Sequence, residues 1–337
     1  MINVGIKQSV IKSLSLLPLT CMIFSLTEYA NAQQSTKSPR IGYLGGTSPS
    51  ANSARIESFR QGLREFGYVE GKTITIEWRH ADAAKLDRLP ALAAELVRLR
   101  VDLIITGGPP ATRSAKEATA TIPIVMAFDD DPVGNGFVTS LMRPGGNITG
   151  LSALSPEISG KRLEILNECI PRLSRIAIIG TSTRPGNTQT AKETELAAHA
   201  FGMKLFYFDV LDPMNIETAF RAAGEQRVQA ILLLSSPVFT SHRSQIAELA
   251  VKGRLPVMYP QEEFVHDGAL MTYGASVAGM YHRAAAYVDK ILKGAKPAEL
   301  PVEQPRSFEL VINLKGAKQI GLTIPPNVLA RADRVIK

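Results

Sequence analysis

The sequence predicts an α/β fold of two doubly wound, Rossmann-like lobes joined by a hinge of several strands. Three observations predict it. Short apolar runs alternate with longer helical patterns along the chain, the signature of parallel sheets covered by helices. Behind an N-terminal export segment remain about 305 residues, more than one hydrophobic core usually accommodates. The strand order of the first half also returns in the second: Arg40–Gly45 and Arg175–Gly180 stand 135 positions apart, and so do Phe66-Gly67 and Phe201-Gly202.

The first 32 residues read as a signal peptide. Lys7 and Lys12 precede an apolar stretch over residues 14–26, and Ala30-Asn31-Ala32 forms a small-x-small cleavage site, so the mature chain is expected to begin at Gln33. The apolar stretch is shorter than a bilayer span and has Pro18 and Glu28 in or beside it, which argues against a retained anchor. A lipid anchor on Cys21 lacks the small residue such a site needs before the cysteine.

Five strands are expected in the first half, at Arg40–Gly45 and at residues 73–78, 102–106, 122–127 and 147–149. Five more follow in the same order, at Arg175–Gly180 and at residues 204–208, 230–234, 255–259 and 268–272. The helix after the first strand carries Ile56, Phe59, Leu63 and Phe66 at helical spacing, a buried stripe with no function beyond packing. At its end, as at the end of its counterpart, Phe-Gly places a glycine where a left-handed residue closes the helix, and the Phe is expected to pack back on the sheet. A helix over Val277–Leu292, a proline-rich and charged stretch over residues 294–305 and an apolar edge strand over residues 308–314 complete the chain. Such a late return gives more than one crossing between lobes, which then hinge without separating.

Composition excludes several functions. The net charge of +7 is spread along the chain, without the basic stripe and stacking aromatics that nucleic acid requires. Past the export segment only Cys169 remains, so no intramolecular disulfide is expected, and no later segment is apolar for long enough to cross a membrane. The five histidines show no metal-ligand spacing. Neither a dinucleotide fingerprint nor a Walker-A loop is present, nor a G-x-S-x-G elbow or a Cys-His signature around Cys169; no cofactor and no catalytic set is expected.

Ligands of open α/β sheets bind beyond the carboxyl ends of the strands. That rule selects the loops Gly45-Gly-Thr-Ser48, Gly107-Gly-Pro-Pro110 with Thr112, and Asp129-Asp-Asp-Pro132 in the first lobe. In the second it selects residues 181–187, Ser235-Ser-Pro237 and Gln261-Glu-Glu263. Paired glycines followed by Ser or Thr suit an anionic group such as a carboxylate, although the same residues also serve as ordinary turns and helix caps. The acidic loop suits a ligand ammonium, a metal or a phosphoryl group, or else simply caps the helix that follows. Phe128, Tyr259 and Tyr273 stand near strand ends, where they either stack on a planar ligand or form the wall.

Two long stretches carry a family resemblance: Ile122-Pro-Ile-Val-Met-Ala-Phe-Asp-Asp-Asp-Pro-Val133 with Ser140-Leu-Met-Arg-Pro-Gly-Gly-Asn-Ile-Thr-Gly150, and later Tyr273-Gly-Ala-Ser276, Ile291-Leu-Lys-Gly-Ala-Lys-Pro297, Leu300-Pro-Val302 and Phe308-Glu-Leu-Val-Ile-Asn-Leu314. In these the chain resembles the ABC-transporter substrate-binding family that includes tryptophan and tyrosine receptors. The resemblance implies a type I periplasmic-binding-protein fold with three crossings, a periplasmic and monomeric receptor, and delivery of a small solute to an ABC permease. It implies a first lobe of residues 40–151 plus 275–297 and a second of 152–274 plus 298–337. It also implies ligand contacts from Gly46, Thr47, Ser48, Gly108, Pro109, Asp131 and Pro132 on one side, and from Ser236, Gln261, Tyr273 and Gly274 on the other or at the hinge. Two departures stand out. Family members often show Asn-Pro after the strand matching Ile176 to Ile179, where this chain has Gly180-Thr-Ser-Thr-Arg-Pro-Gly-Asn187, and they often place an acid where Ser236 stands. Without that acid an ammonium site is weaker. A sensory receptor coupled to a membrane signalling protein, and an enzyme working between two lobes, are the competing expectations.

Overall fold

The computed structural model describes residues 38–337; the expected signal peptide lies outside the described residues. The first sheet holds β1 (Arg40–Gly45), β2 (Thr75–His80), β3 (Leu103–Thr106), β4 (Ile124–Asp129) and β5 (Ile148–Ser152), in the order β2-β1-β3-β4-β5 and parallel throughout. Its strands alternate sides with the period of two that a pleated chain imposes. From β1, Ile41 and Tyr43 meet Phe59 and Leu63 of α1 (Ser53–Glu65), while Leu44 on the other face meets Ala93 and Leu96 of α2 (Leu89–Arg98) and Ala111 and Ala115 of α3 (Pro109–Ala118).

The chain then crosses to a second sheet. In order come α4 (Ser159–Cys169), β6 (Arg175–Gly180), α5 (Asn187–Ala200), β7 (Lys204–Asp209), α6 (Asn215–Glu225), β8 (Ala230–Leu233), α7 (Pro237–Ser241), α8 (Arg243–Gly253), β9 (Val257–Tyr259), α9 (Glu263–His266) and β10 (Met271–Gly274). Next α10 (Val277–Leu292) returns to the first lobe, packing on α1 and on β4. A third crossing leads to β11 (Glu309–Asn313), α11 (Leu314–Gln319), α12 (Pro326–Leu329) and β12 (Arg334–Ile336). The sheet order is β12-β11-β10-β9-β8-β6-β7, parallel except where β11 runs against β10. Read inward from β7, it repeats the order of the first sheet. Two separate cores flank it, one under α4, α11 and α12, the other under α6 and α8.

Three sequence expectations change. Phe66 and Phe201 do not pack on their sheets; they are 43% and 44% exposed. The amides of Tyr68 and Met203 return to the carbonyls of Leu63 and Ala198, both at helix position C3, and the left-handed Gly67 and Gly202 turn the chain so that Tyr68 and Met203 provide the apolar contact instead. The strands expected from residues 122 and 255 begin two residues later, after Pro123 and Pro256, which have no N–H to give the ladder. β11 is not the edge, because the short β12 pairs outside it.

At the crossings, an isolated parallel bridge joins Leu151 to Glu303, and the Thr149 hydroxyl donates to the Leu300 carbonyl at 2.7 Å. The segment after α10 therefore stays against β5 before the chain leaves for β11.

Candidate functional site

Loops at the carboxyl ends of β1 and β3 and of β6, β8 and β9 converge on one nearly closed cleft with a free interior of only about 20 Å³, with β4 adding its own end. Gly46 and Thr47 follow β1, Gly107 to Ala111 follow β3, and Phe128 comes from the last turn of β4. Opposite them stand Arg184 after β6, Ser235, Ser236 and Pro237 after β8, and Gln261 after β9. α1 contributes Arg55 and α7 contributes Thr240. A smaller extension, lined by Phe128, Asp130, Ser155, Arg162 and Gln261, runs toward the crossing segments at Ala153 and Ala275. Gly108 adopts φ +134°, a region closed to most side chains, and a Cβ there would sit 3.2 Å from the Phe128 ring.

The two walls are bonded to each other by buried ion pairs. Arg55 Nε donates to Glu263 Oε1 at 2.6 Å and its second guanidinium nitrogen to Gln261 Oε1 at 3.0 Å. Burial opposes a charge on Arg55, but the Glu263 carboxylate holds it protonated; burial likewise disfavours charge on Glu263, which Arg55 keeps below the usual carboxylate range. Arg184 donates to Asp130 across the cleft, and also to Ser235 Oγ at 3.2 Å and Asn187 Oδ1 at 3.1 Å. Asp130 accepts in addition from Ser155 Oγ at 2.8 Å. Arg162 donates to the Tyr273 carbonyl at 2.9 Å, and burial pulls its guanidinium down to about 10. Asp129 turns to Asn135 Nδ2 at 2.7 Å and to the Asp131 amide at 3.0 Å; burial first, and then the neighbouring Asp130 charge, push its carboxyl up to about 8.

Three lining residues offer the cleft no backbone donor. Pro109 and Pro110 open α3, Pro237 opens α7, and prolines at these positions have no N–H to offer. The Val238 amide is already taken by the Ser236 hydroxyl, which also receives Thr181 Oγ1 at 3.0 Å. Charged side-chain donors stand beside the amides that remain. One is left over: the Nε of Arg184 is buried without a hydrogen-bond partner, a situation that costs about 1–3 kcal/mol or more for a charged group. Among the described residues no group of three or more His, Cys, Asp or Glu side chains gathers to hold a metal ion.

Comparison with known proteins decides the family. A family model described as "ABC transporter substrate binding protein" matches residues 47–336. The chain belongs to that family. Among relatives of the binding protein is a "Tyrosine-binding protein" of Clostridioides difficile (strain R20291), 27% identical over 269 residues, 79% of this chain and 75% of that one. A conserved domain protein from Vibrio cholerae superposes with a TM-score of 0.84 at 28% identity, over 89% of this chain and 100% of that chain. An ABC domain from Streptococcus pneumonia in complex with L-Trp gives 0.83 at 25% identity, over the same shares. The binding protein therefore shares its two-lobed α/β architecture with solved solute receptors, and its family is one of solute-binding proteins. No helix among the described residues is long and apolar enough to cross a membrane.

Of the loop residues expected at the site, the structure brings Gly46, Thr47, Gly108, Pro109, Ser236 and Gln261 together in the cleft. Others lie apart from its lining. Ser48 pairs with Ser50 and caps the Ala51 amide, and the buried Thr112 hydroxyl bonds Thr106 and the Gly108 carbonyl, holding its own turn. Asp131 accepts from the Gly134 amide, and Pro132 is buried behind it. Tyr273 offers only its carbonyl, to Arg162, while its ring lies against Phe308; Gly274 passes so close to the Pro260 carbonyl that a Cβ would come within 2.2 Å. Of the charged residues of the site, Asp130, Arg184 and Glu263 lie in loops that the rule selected, although none was singled out within its loop, while Arg55 and Arg162 lie outside those loops. Arg55 and Arg162 sit on helices, and their one sequence signal is helical spacing: Arg55 falls three after Asn52 and four before Phe59, on the buried side of α1.

Proposed function

We propose that this protein is an extracytoplasmic receptor that captures a small solute between its lobes by closure and delivers it to an ABC permease, without chemistry on the solute. The observation that carries the reading is the convergence of equivalent loops from both sheets on one buried cleft, bridged by Arg55–Glu263 and Arg184–Asp130. A bridge of this kind exists only when the lobes are together, so the balance between closed and open forms responds to whatever adds contacts to both walls. Phe128 and the prolines give the cleft flat apolar sides, the guanidiniums and hydroxyls a polar end; this lining suits a small solute with an aromatic body and a polar group, which the lobes must part to admit. The named relatives, with their tyrosine and L-Trp ligands, support that size and shape. The signal peptide expected at residues 1–32 supports a periplasmic location.

A thermal-shift screen of the purified mature protein, followed by small-angle scattering, tests this. A cognate solute at 100 times its Kd stabilises the protein by about 2.7 kcal/mol and contracts it. Turnover of any bound solute into product, or binding without contraction, would sink the proposal.

A further inference from the structure

We infer that the cleft selects a carboxylate lacking an α-ammonium group, an aryl or arylalkyl acid, and that Arg184 is the residue that holds its anionic end. This rests on the reading of the cleft as the ligand site. Three buried guanidiniums, Arg55, Arg162 and Arg184, stand around the cleft against two carboxylates, Asp130 and Glu263. Each of those acids is already engaged, Asp130 by Arg184 and Ser155, Glu263 by Arg55. The third nearby acid, Asp129, faces Asn135 and the Asp131 amide. Ser236 supplies only a hydroxyl, and it caps α7.

Among the residues that line the cleft and its extension the one acid is Asp130, and both of its oxygens are taken, so an entering ammonium finds no free carboxylate there; the partnerless oxygens of Glu263 and Asp129 belong to side chains outside that lining. An entering carboxylate finds the opposite: the Nε of Arg184 has no partner, its side chain is 3% exposed, it lines the cleft, and Ser235 stands beside it. One negative charge balances the surplus guanidinium, whereas a zwitterion leaves the surplus unchanged. The flat walls at Phe128, Pro109 and Pro237 fit a planar body behind the carboxylate.

The test is isothermal titration of the mature protein, stripped of co-purified solute, with matched compounds: 3-(4-hydroxyphenyl)propionate, L-tyrosine and tyramine, and indole-3-propionate, L-tryptophan and tryptamine. The acid of at least one set is expected to bind ten-fold or more tightly than its amino acid, with no heat from the amines. Arg184→Gln is expected to weaken the acid ten-fold or more. Should that variant not fold, Arg184→Lys keeps a cation for Asp130 but loses the Nε donor, and is expected to weaken the acid several-fold. An amino acid that binds as tightly as its acid overturns the inference and leaves the cleft reading standing. Acid binding unchanged in both Arg184 variants overturns both, since the site would then lie elsewhere. Silence toward all six compounds overturns the inference.

Discussion

Arg55 and Glu263 meet only in the closed arrangement, and each is solvated when the lobes part. Removing one partner of a buried pair leaves the other uncompensated. Glu263→Gln is expected to weaken solute binding by about ten-fold, equivalent to about 1.4 kcal/mol, with an unchanged circular dichroism spectrum; titration calorimetry checks it. Asp129 provides a pH signal of known sign. Its folded carboxyl sits at about 8, above the usual carboxylate range, so the folded protein holds a proton that the unfolded chain has released. The associated stability is complete at acid pH, below the unfolded value, and is lost as pH rises through about 8, at up to about 1.4 kcal/mol per pH unit. Thermal denaturation between pH 5 and 9 is expected to show this decline in the native protein and a flatter curve in Asp129→Asn. Residues of this kind were hard to read in the sequence. An arginine reads as surface by default: Arg184 stood in an expected loop without being singled out, and Arg55 and Arg162 become visible as site residues only when the fold supplies their partners. The acidic loop was legible as a site, but its register was not: with β4 running on to Asp129 after the Pro123 start, Asp130 reaches the cleft and Asp131 caps the next turn.

Among elements, the contact of α1 with α10 fixes the first lobe. The small residues Ala284, Ala285 and Ala286 of α10 let the helices approach until a Cβ on Gly62 would stand 2.3 Å from the His282 carbonyl. A backbone atom cannot step aside as a side chain can. Gly62→Val is therefore expected to destabilise by about 1–3 kcal/mol in urea denaturation. Gly67 makes a useful contrast: nothing lies within 4 Å of its Cβ position, but its φ is +82°, so Gly67→Ala is expected to cost only about 1–2 kcal/mol through conformation alone. Most elements were legible because buried strands are short runs of Ile, Leu and Val, as Ile176 to Ile179 are. β12 was not, since Arg334–Ile336 is three residues long and lies at an edge with little of it buried. The Phe66 and Phe201 positions misled because the motif that closes their helices assigns the apolar contact two residues further on.

At the scale of the molecule, the repeat explains why one cleft has two matching walls: the same loops of the same design face each other, with different residues set in them. The 135-residue offset made that architecture legible, while the state of the lobes, closed and bridged, could be seen only in coordinates. Because the chain crosses between lobes three times, a single backbone cut does not part them. A protease nick within residues 153–158 is expected to yield two fragments on a denaturing gel but one species of undiminished size on gel filtration, because α10 of the later fragment stays packed on α1 and β4 of the earlier one and Glu303 stays bridged to Leu151. Such nicked protein should go on taking up its solute, so one break in that segment costs the receptor its continuity but not its function.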